Sequence, residues 1–416
     1  MKIKNLVRKL FGILIVLCVS LVLLIISDIV MIKLKLLERP QGVNGNPLIG
    51  FGLHYKNKYD DFRDGSEPRT NARGFESRRP VSEILKNPSD LTIAVVGDSH
   101  TNLNEKIIPI DKQHHFVLET LLREKGIDAE VLGAGWPKYS PLQEYLLFKH
   151  YLKDDFKPKV LVMNLYTGND FYDLIRVDDR PHYTMESDGS ITIKPPVWIT
   201  YEDPNGQSSV DKSRIIWAGK KITRTFLGPR IIARLQFLLG SAKGQGAGYI
   251  EAFSYMNDVR KSIEPRLHYR GAFSAQILNQ ALFMKKYFPV TVSRSKMYFR
   301  HLLNTIRREN PDMILVLSAI PSAALAERMP KPILFEQTLK RIHMSQEAVI
   351  SLEQDLYEMA RTVAQQEGWI FVDNLKKFKD YDSNEQLFNE LDLHVNVKAC
   401  QIIGEAQASE ILSHLN

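Results

Sequence analysis

The sequence predicts a three-layer α/β/α sandwich built on a parallel sheet, and three observations predict it. Five short apolar runs rich in β-branched residues read as strands buried on both faces: TIAVV (92–96), AEVL (129–132), KVLVMNL (159–165), MILVLSAI (313–320) and WIFVD (369–373). Helical patterns lie between and after them, which is the alternation of βαβ units joined by right-handed crossovers. Polar clusters follow the first three runs, where an open parallel sheet places its ligand sites.

The N-terminus is a separate unit. Residues 10–27 carry no charge, and residues 28–32 extend the run to the roughly 20 residues that cross a bilayer core. Lys2, Lys4, Arg8 and Lys9 precede it, so the N-terminus is expected to stay cytoplasmic. A cleaved signal peptide would have a shorter apolar stretch followed by a small-x-small site, whereas the residues after Ser27 are bulky. The expectation is a cytoplasmic tail (1–9), a transmembrane anchor (10–32), a lead-in (33–90) and a domain (91–416) held on the periplasmic side of an inner membrane.

Charge follows this division. The net charge is +7 over 416 residues, but residues 1–40 hold seven Lys/Arg against Asp28 and Glu38, leaving +2 for the rest. The basic balance therefore belongs to the flanks of the anchor and argues against nucleic acid as a partner. Cys18 and Cys400 are the only cysteines, one in the apolar run and one near the C-terminus, so no internal disulfide or zinc-type spacing is expected.

Within the domain, residues 112–126 form a helical pattern ending at a glycine, with the adjacent His114 and His115 read as a polar face. Residues 140–155 open with Ser140-Pro141, a favourable helix start. Residues 293–310, 345–368 and 397–415 supply the remaining helices. The stretch 171–292 is too long for a plain connection and reads as an inserted subdomain, lid or partner surface. Between Lys212 and Ile250 it has eight Lys/Arg and no Asp or Glu, which suits either a helical cap or a basic amphipathic helix on an anionic membrane.

Four polar blocks carry the chemistry: GDSH (97–100), GAGWPKYS (133–140), YTGND (166–170) and LDLHVN (391–396). Singly, each suits a turn, a cap or a packed histidine. Together at one sheet edge they match acyl transfer, which needs a hydroxyl nucleophile, a base, an acid that orients the base, and oxyanion donors. Ser99 is the candidate nucleophile, His394 the base and Asp392 the orienting acid. The backbone N–H groups of Ser99 and Gly135 and the Asn169 amide are candidate oxyanion donors.

These blocks resemble those of the SGNH hydrolases, the GDSL esterase/lipase superfamily, with Ser99, Gly135, Asn169 and His394 in the four named positions. The segment TNARGFES (70–77) is similar to one that precedes the first block in membrane-anchored bacterial members. The resemblance covers roughly residues 70–170 and 295–416 and leaves the insertion outside it. It implies a flavodoxin-like sandwich and an activity without metal or organic cofactor. Three positions depart from the pattern: His100 stands where Leu or Phe is usual, Gly133 where Asn is frequent, and Leu391 where the acid usually lies. Asp392, two residues before His394, resembles instead the Asp-x-His block of alginate O-acetyltransferase-like relatives, with Glu390 as the other candidate acid.

The resulting expectation is a membrane-anchored serine esterase acting on ester groups, O-acetyl above all, of cell-envelope or exported carbohydrate. A second is an O-acyltransferase using the same residues on an exopolysaccharide, with a membrane acyl-donor protein as partner. A third is a tethered binding module with an idle site.

Overall fold

The computed structural model describes residues 75–101, 108–137, 139–175, 180–194, 280–281, 284, 290–328, 336, 339, 344–389 and 393–415. The proposed anchor (10–32) and most of the lead-in and insertion lie outside these. Among the described residues no helix is long and apolar enough to cross a membrane.

The chain enters through α1 (Val81–Lys86) and β1 (Leu91–Gly97), followed by α2 (His114–Glu124), β2 (Ala129–Gly135), α3 (Pro141–Leu147), β3 (Val160–Tyr166) and α4 (Asp170–Ile175). A hairpin of β4 (His182–Met185) and β5 (Ile191–Lys194) opens the insertion. Then come α5 (Val290–Glu309), β6 (Ile314–Ile320), α6 (Gln346–Gln366), β7 (Ile370–Asp373), α7 (Asn374–Asp380) and α8 (Val397–Leu415). All five strands expected from the apolar runs form, in the parallel order β2-β1-β3-β6-β7. This is the flavodoxin-like order, with its switch point between β1 and β3.

Alternation along the strands builds the three layers. On one face, Ala94, Val96, Leu161, Met163 and Leu317 pack with Leu142 of α3, Leu302 of α5 and Leu356 of α6. On the other, Ile93, Val95, Val131, Val162 and Val316 pack with Leu118 and Leu122 of α2 and Ile411 of α8. Both faces are dry, which is why the strands read as unbroken apolar runs. β2 runs three residues beyond its apolar stretch because Gly133, Ala134 and Gly135 stay in register with Val95, Val96 and Gly97. Helix α3 starts as expected: Ser140 Oγ accepts from the Gln143 N–H while Gln143 Oε1 accepts from the Ser140 N–H, a capping box.

The histidine pair corrects the sequence expectation. His114 and His115 are not a polar helix face; both are fully buried. His115 Nε2 lies 2.8 Å from Glu76 Oε2, and His114 Nε2 donates to the His100 carbonyl at 3.1 Å. Partners distant in sequence supply the hydrogen bonds that make the burial affordable.

The same contacts tie down the end of the lead-in. Glu76 exchanges both backbone hydrogen bonds with Gly133 on the outer edge of β2. Arg79 pairs with the buried Glu130 of β2 at 2.7 Å, and Arg78 with the buried Glu119 of α2 at 3.2 Å. Gly133 is glycine for a steric reason. A Cβ there would stand 2.6 Å from His115 Nε2, so the ring that reaches Glu76 occupies the space a side chain would need.

Candidate active site

β1 ends in a tight turn at the switch point. The Thr101 N–H donates to the Asp98 carbonyl at 3.1 Å, and the His100 N–H to Asp98 Oδ1 at 2.8 Å. Ser99 stands on the crest of this turn, half-buried among the buried Asp98, His100 and Thr101. Its Oγ donates to Asp98 Oδ2 at 3.4 Å. The turn is held from inside the sheet. Asn164 of β3 donates through Nδ2 to Thr101 Oγ1 at 2.8 Å. Gln407 of α8 donates to Asn164 Oδ1 and to Ser318 Oγ, each at 2.9 Å. Asn374 donates to Ser318 Oγ at 3.0 Å. A chain of buried hydrogen bonds of this kind fixes one geometry, because loosening it would strand polar groups away from water.

β3 delivers the third block. Thr167 binds the β6 end, its N–H donating to the Ile320 carbonyl at 3.0 Å and its Oγ1 to Glu353 Oε1 at 2.8 Å. Gly168 passes against the Tyr166 ring so closely that a Cβ would lie 2.6 Å from it. Asn169, nearly fully buried, then donates through Nδ2 to Asp173 Oδ2 at 2.6 Å. A carboxylate only accepts, so the amide is turned with its nitrogen toward Asp173 and one further N–H to give. Asp170 turns inward, and its Oδ2 accepts from the Tyr166 N–H at 2.7 Å.

Two backbone hydrogen bonds tie the His394 segment to Asn389. The Asn389 N–H donates to the His394 carbonyl at 2.8 Å and the Leu393 N–H to the Asn389 carbonyl at 2.9 Å. Leu393 takes φ 58° here, a left-handed conformation that costs a non-glycine residue about 1–2 kcal/mol. The His394 ring lies 4.8 Å from the His100 ring, which is itself stacked 4.1 Å from Tyr166. His100 therefore does not face solvent. It forms the middle of a row of rings joining β3, the Asp98–Thr101 turn and the histidine block.

Burial governs the electrostatics. It pushes Asp98 up to about 6, against the His100 N–H and His394, which hold it down. Burial, and then the nearby Asp98, push Glu144 and Asp170 well above the usual carboxylate range. Burial, with help from His394 and His114, pushes His100 well below the usual imidazole range. At neutral pH the buried His100 is therefore uncharged, burial disfavours the charged forms of Glu144 and Asp170, and Asp98, at about 6, is poised to titrate.

A stability prediction follows for Asp98. Its ordinary value is 3.8 and its folded value about 6. Between those values the folded state holds a proton the unfolded state has released, so this group's contribution falls as pH rises from about 4 to about 6. Asp98→Asn, which keeps an acceptor for the His100 N–H, is expected to flatten that decline. Urea titrations at stepped pH measure it, and parallel curves for the two proteins would contradict the assignment.

The structure thus gathers Ser99 and Asn169 at the carboxyl ends of the two strands flanking the switch point. Gly135 ends β2 opposite Gly97, and His394 reaches the site through His100. Asp392 and Glu390, the two candidate acids, lie outside the described residues. Sequence reasoning missed Tyr166, Asp173, Arg180 and Glu353, and it treated Asp98 only as part of a turn. Asp173 had a signal, since four residues after Asn169 shares its helix face; Arg180 and Glu353 had none. Among the described residues no group of three His, Cys, Asp or Glu side chains is arranged to hold a metal ion.

No family model and no curated protein matches the sequence. Among solved structures the chain is similar to a lipase/acylhydrolase from Enterococcus faecalis, at 13% identity and TM-score 0.36, over 78% of this chain and 96% of that one. It is also similar to an acetylxylan esterase from Geobacillus stearothermophilus, at 10% identity and TM-score 0.37, over 78% and 94% of the two chains. A third is an alpha/beta hydrolase from the metagenome of Lake Arreo, at 12% identity and TM-score 0.35, over 79% and 97%. At TM-scores of this size the likeness carries no argument, and the fold rests on the strand order. All three solved structures are described as hydrolases or esterases.

Proposed function

We propose that this chain is a serine ester hydrolase in which Ser99 forms an acyl-enzyme. One observation carries the proposal: a half-buried serine at the switch point shares its edge of the sheet with an oriented asparagine amide and a histidine. The Ser99 hydroxyl turns from Asp98 toward His394, which takes its proton as the oxygen attacks the ester carbonyl. The Ser99 and Gly135 N–H groups and Asn169 Nδ2 receive the developing oxyanion. His394 returns the proton to the leaving alcohol, and water repeats the sequence to release the acid. Asp392 orients His394. The substrate proposed is an O-acyl, chiefly O-acetyl, group on cell-envelope or exported carbohydrate, met in the periplasm by an enzyme anchored through residues 10–32.

The Asp-x-His spacing of Asp392 and His394 favours one further reading, transfer of the acyl group from Ser99 to a sugar hydroxyl in place of water. A single experiment separates the two. Full-length protein in detergent and its Ser99→Ala variant are incubated with a chromogenic acetyl ester, with and without an oligosaccharide acceptor, and acetate and glycan mass are both followed. Ser99-dependent acetate release is the expected result. Acetyl gain on the glycan would assign the transferase, and equal inertness of both proteins toward a panel of acyl esters would overturn both.

A further inference from the structure

The turn that carries Asn169 is gripped by residues from both ends of the insertion. Near its start, Arg180 Nη1 lies 2.6 Å from Asp173 Oδ1, and both side chains are at least 95% buried. The other oxygen of Asp173 accepts from Asn169 Nδ2 at 2.6 Å. Near its end, the buried Gln280 donates through Nε2 to the Thr167 carbonyl at 2.7 Å, and its Oε1 accepts from the Tyr172 N–H at 3.3 Å. Thr167 and Tyr172 bracket Asn169.

We propose that the insertion positions the oxyanion donor, with Arg180 fixing Asp173, Asp173 fixing the Asn169 amide, and Gln280 fixing the backbone on either side of it. An amide left free could rotate about its last bond and present oxygen instead of nitrogen. An oxygen facing an oxyanion repels it, so orientation decides whether Asn169 helps or hinders. Asp173 settles the orientation because it can only accept. Arg180 holds that carboxylate in place by charge and by a rigid planar donor group. Arg180, Asp173 and Gln280 are positioning residues here, since each acts through Asn169 or its backbone. The inference rests on the ester-hydrolase proposal for its kinetic consequence, and on geometry alone for the amide orientation.

The test uses full-length protein in detergent. Arg180→Met is expected to lower kcat by about 10- to 100-fold with little change in KM, somewhat less than loss of an oxyanion donor outright, and Arg180→Lys to restore part of it. In an Asn169→Ala background Arg180→Met should cost nothing further. An equal loss in both backgrounds, or a change in KM alone, would overturn the proposal. Because Arg180→Met leaves a buried carboxylate uncompensated, Asp173→Leu combined with Arg180→Met is the second variant, removing both charges together. Independently of activity, protein labelled with 15N-asparagine gives the Asn169 side-chain amide signals, identified by their loss in Asn169→Ala. In wild type one amide proton should be shifted downfield by the Asp173 carboxylate, and Arg180→Met should move it upfield. An unmoved signal would overturn the proposal whether or not the protein hydrolyses esters.

Discussion

His394→Ala is expected to lower ester hydrolysis by about 10⁴-fold or more, close to the loss from Ser99→Ala, and the double variant to lose no more than either alone. The reason is that the two act as one unit. A serine hydroxyl is a weak nucleophile until its proton is taken as the bond forms, and a base without a hydroxyl to serve contributes nothing. Such residues are grossly non-additive. What survives in each variant is the contribution of binding and of the oxyanion donors, so Asn169→Ala should cost about 10²- to 10³-fold in the otherwise unchanged protein and should lower the residual rate of either variant as well. Asp98 gives the competing account. It accepts from Ser99 Oγ at 3.4 Å and could be taken for the base. Asp98→Asn and His394→Ala, compared in initial-rate assays across pH, separate the two. If Asp98→Asn abolished hydrolysis while His394→Ala left it within tenfold, the assignment of the base would be wrong.

Gly133→Asn should destabilise the domain by about 3 kcal/mol or more, although asparagine is frequent at this position of the second block in the family the sequence resembles. The added Cβ would meet His115 Nε2 at 2.6 Å and Cδ2 at 2.7 Å. A flexible side chain could swing away, but His115 is fully buried and in contact with Glu76 at 2.8 Å. Moving the ring breaks that contact, and breaking a buried pair costs about 3–5 kcal/mol in comparable cases. Overpacking alone costs about 1–3 kcal/mol. Urea denaturation of the two proteins measures the difference. A loss below about 1 kcal/mol would mean that the ring can be displaced cheaply and that the pair contributes little.

The sheet was legible because its strands are buried on both faces, so five apolar runs stood out without help from tertiary context. The site blocks were legible because polar residues directly after such runs must fall at the carboxyl edge. What could not be read depended on partners far along the chain. His114 and His115 have ordinary helical spacing, and partners far along the chain, Glu76 and the His100 carbonyl among them, meet them inside. His100 was visible only as a departure from the family pattern, and its burial depends on the Tyr166 ring stacked on it. Arg180 had no signal of its own, because its pairing with Asp173 is a tertiary contact that the spacing of the two residues does not dictate.

Residues 75–79 change what counts as the folded unit. β2 is an outer strand of the sheet, and its free edge is covered where Glu76 bonds to Gly133. The same five residues neutralise Glu119 and Glu130, both buried carboxylates, through Arg78 and Arg79. Proteolysis upstream of Phe75 would leave a domain with its edge still bonded at Gly133. A cut between Arg79 and Leu91 would remove the seal, leaving β2 as a bare strand edge able to pair with another copy. A sealed and an unsealed sheet edge would thus be separated by a handful of residues, and the boundary of the folded unit is set by hydrogen bonds rather than by the first strand of the sheet.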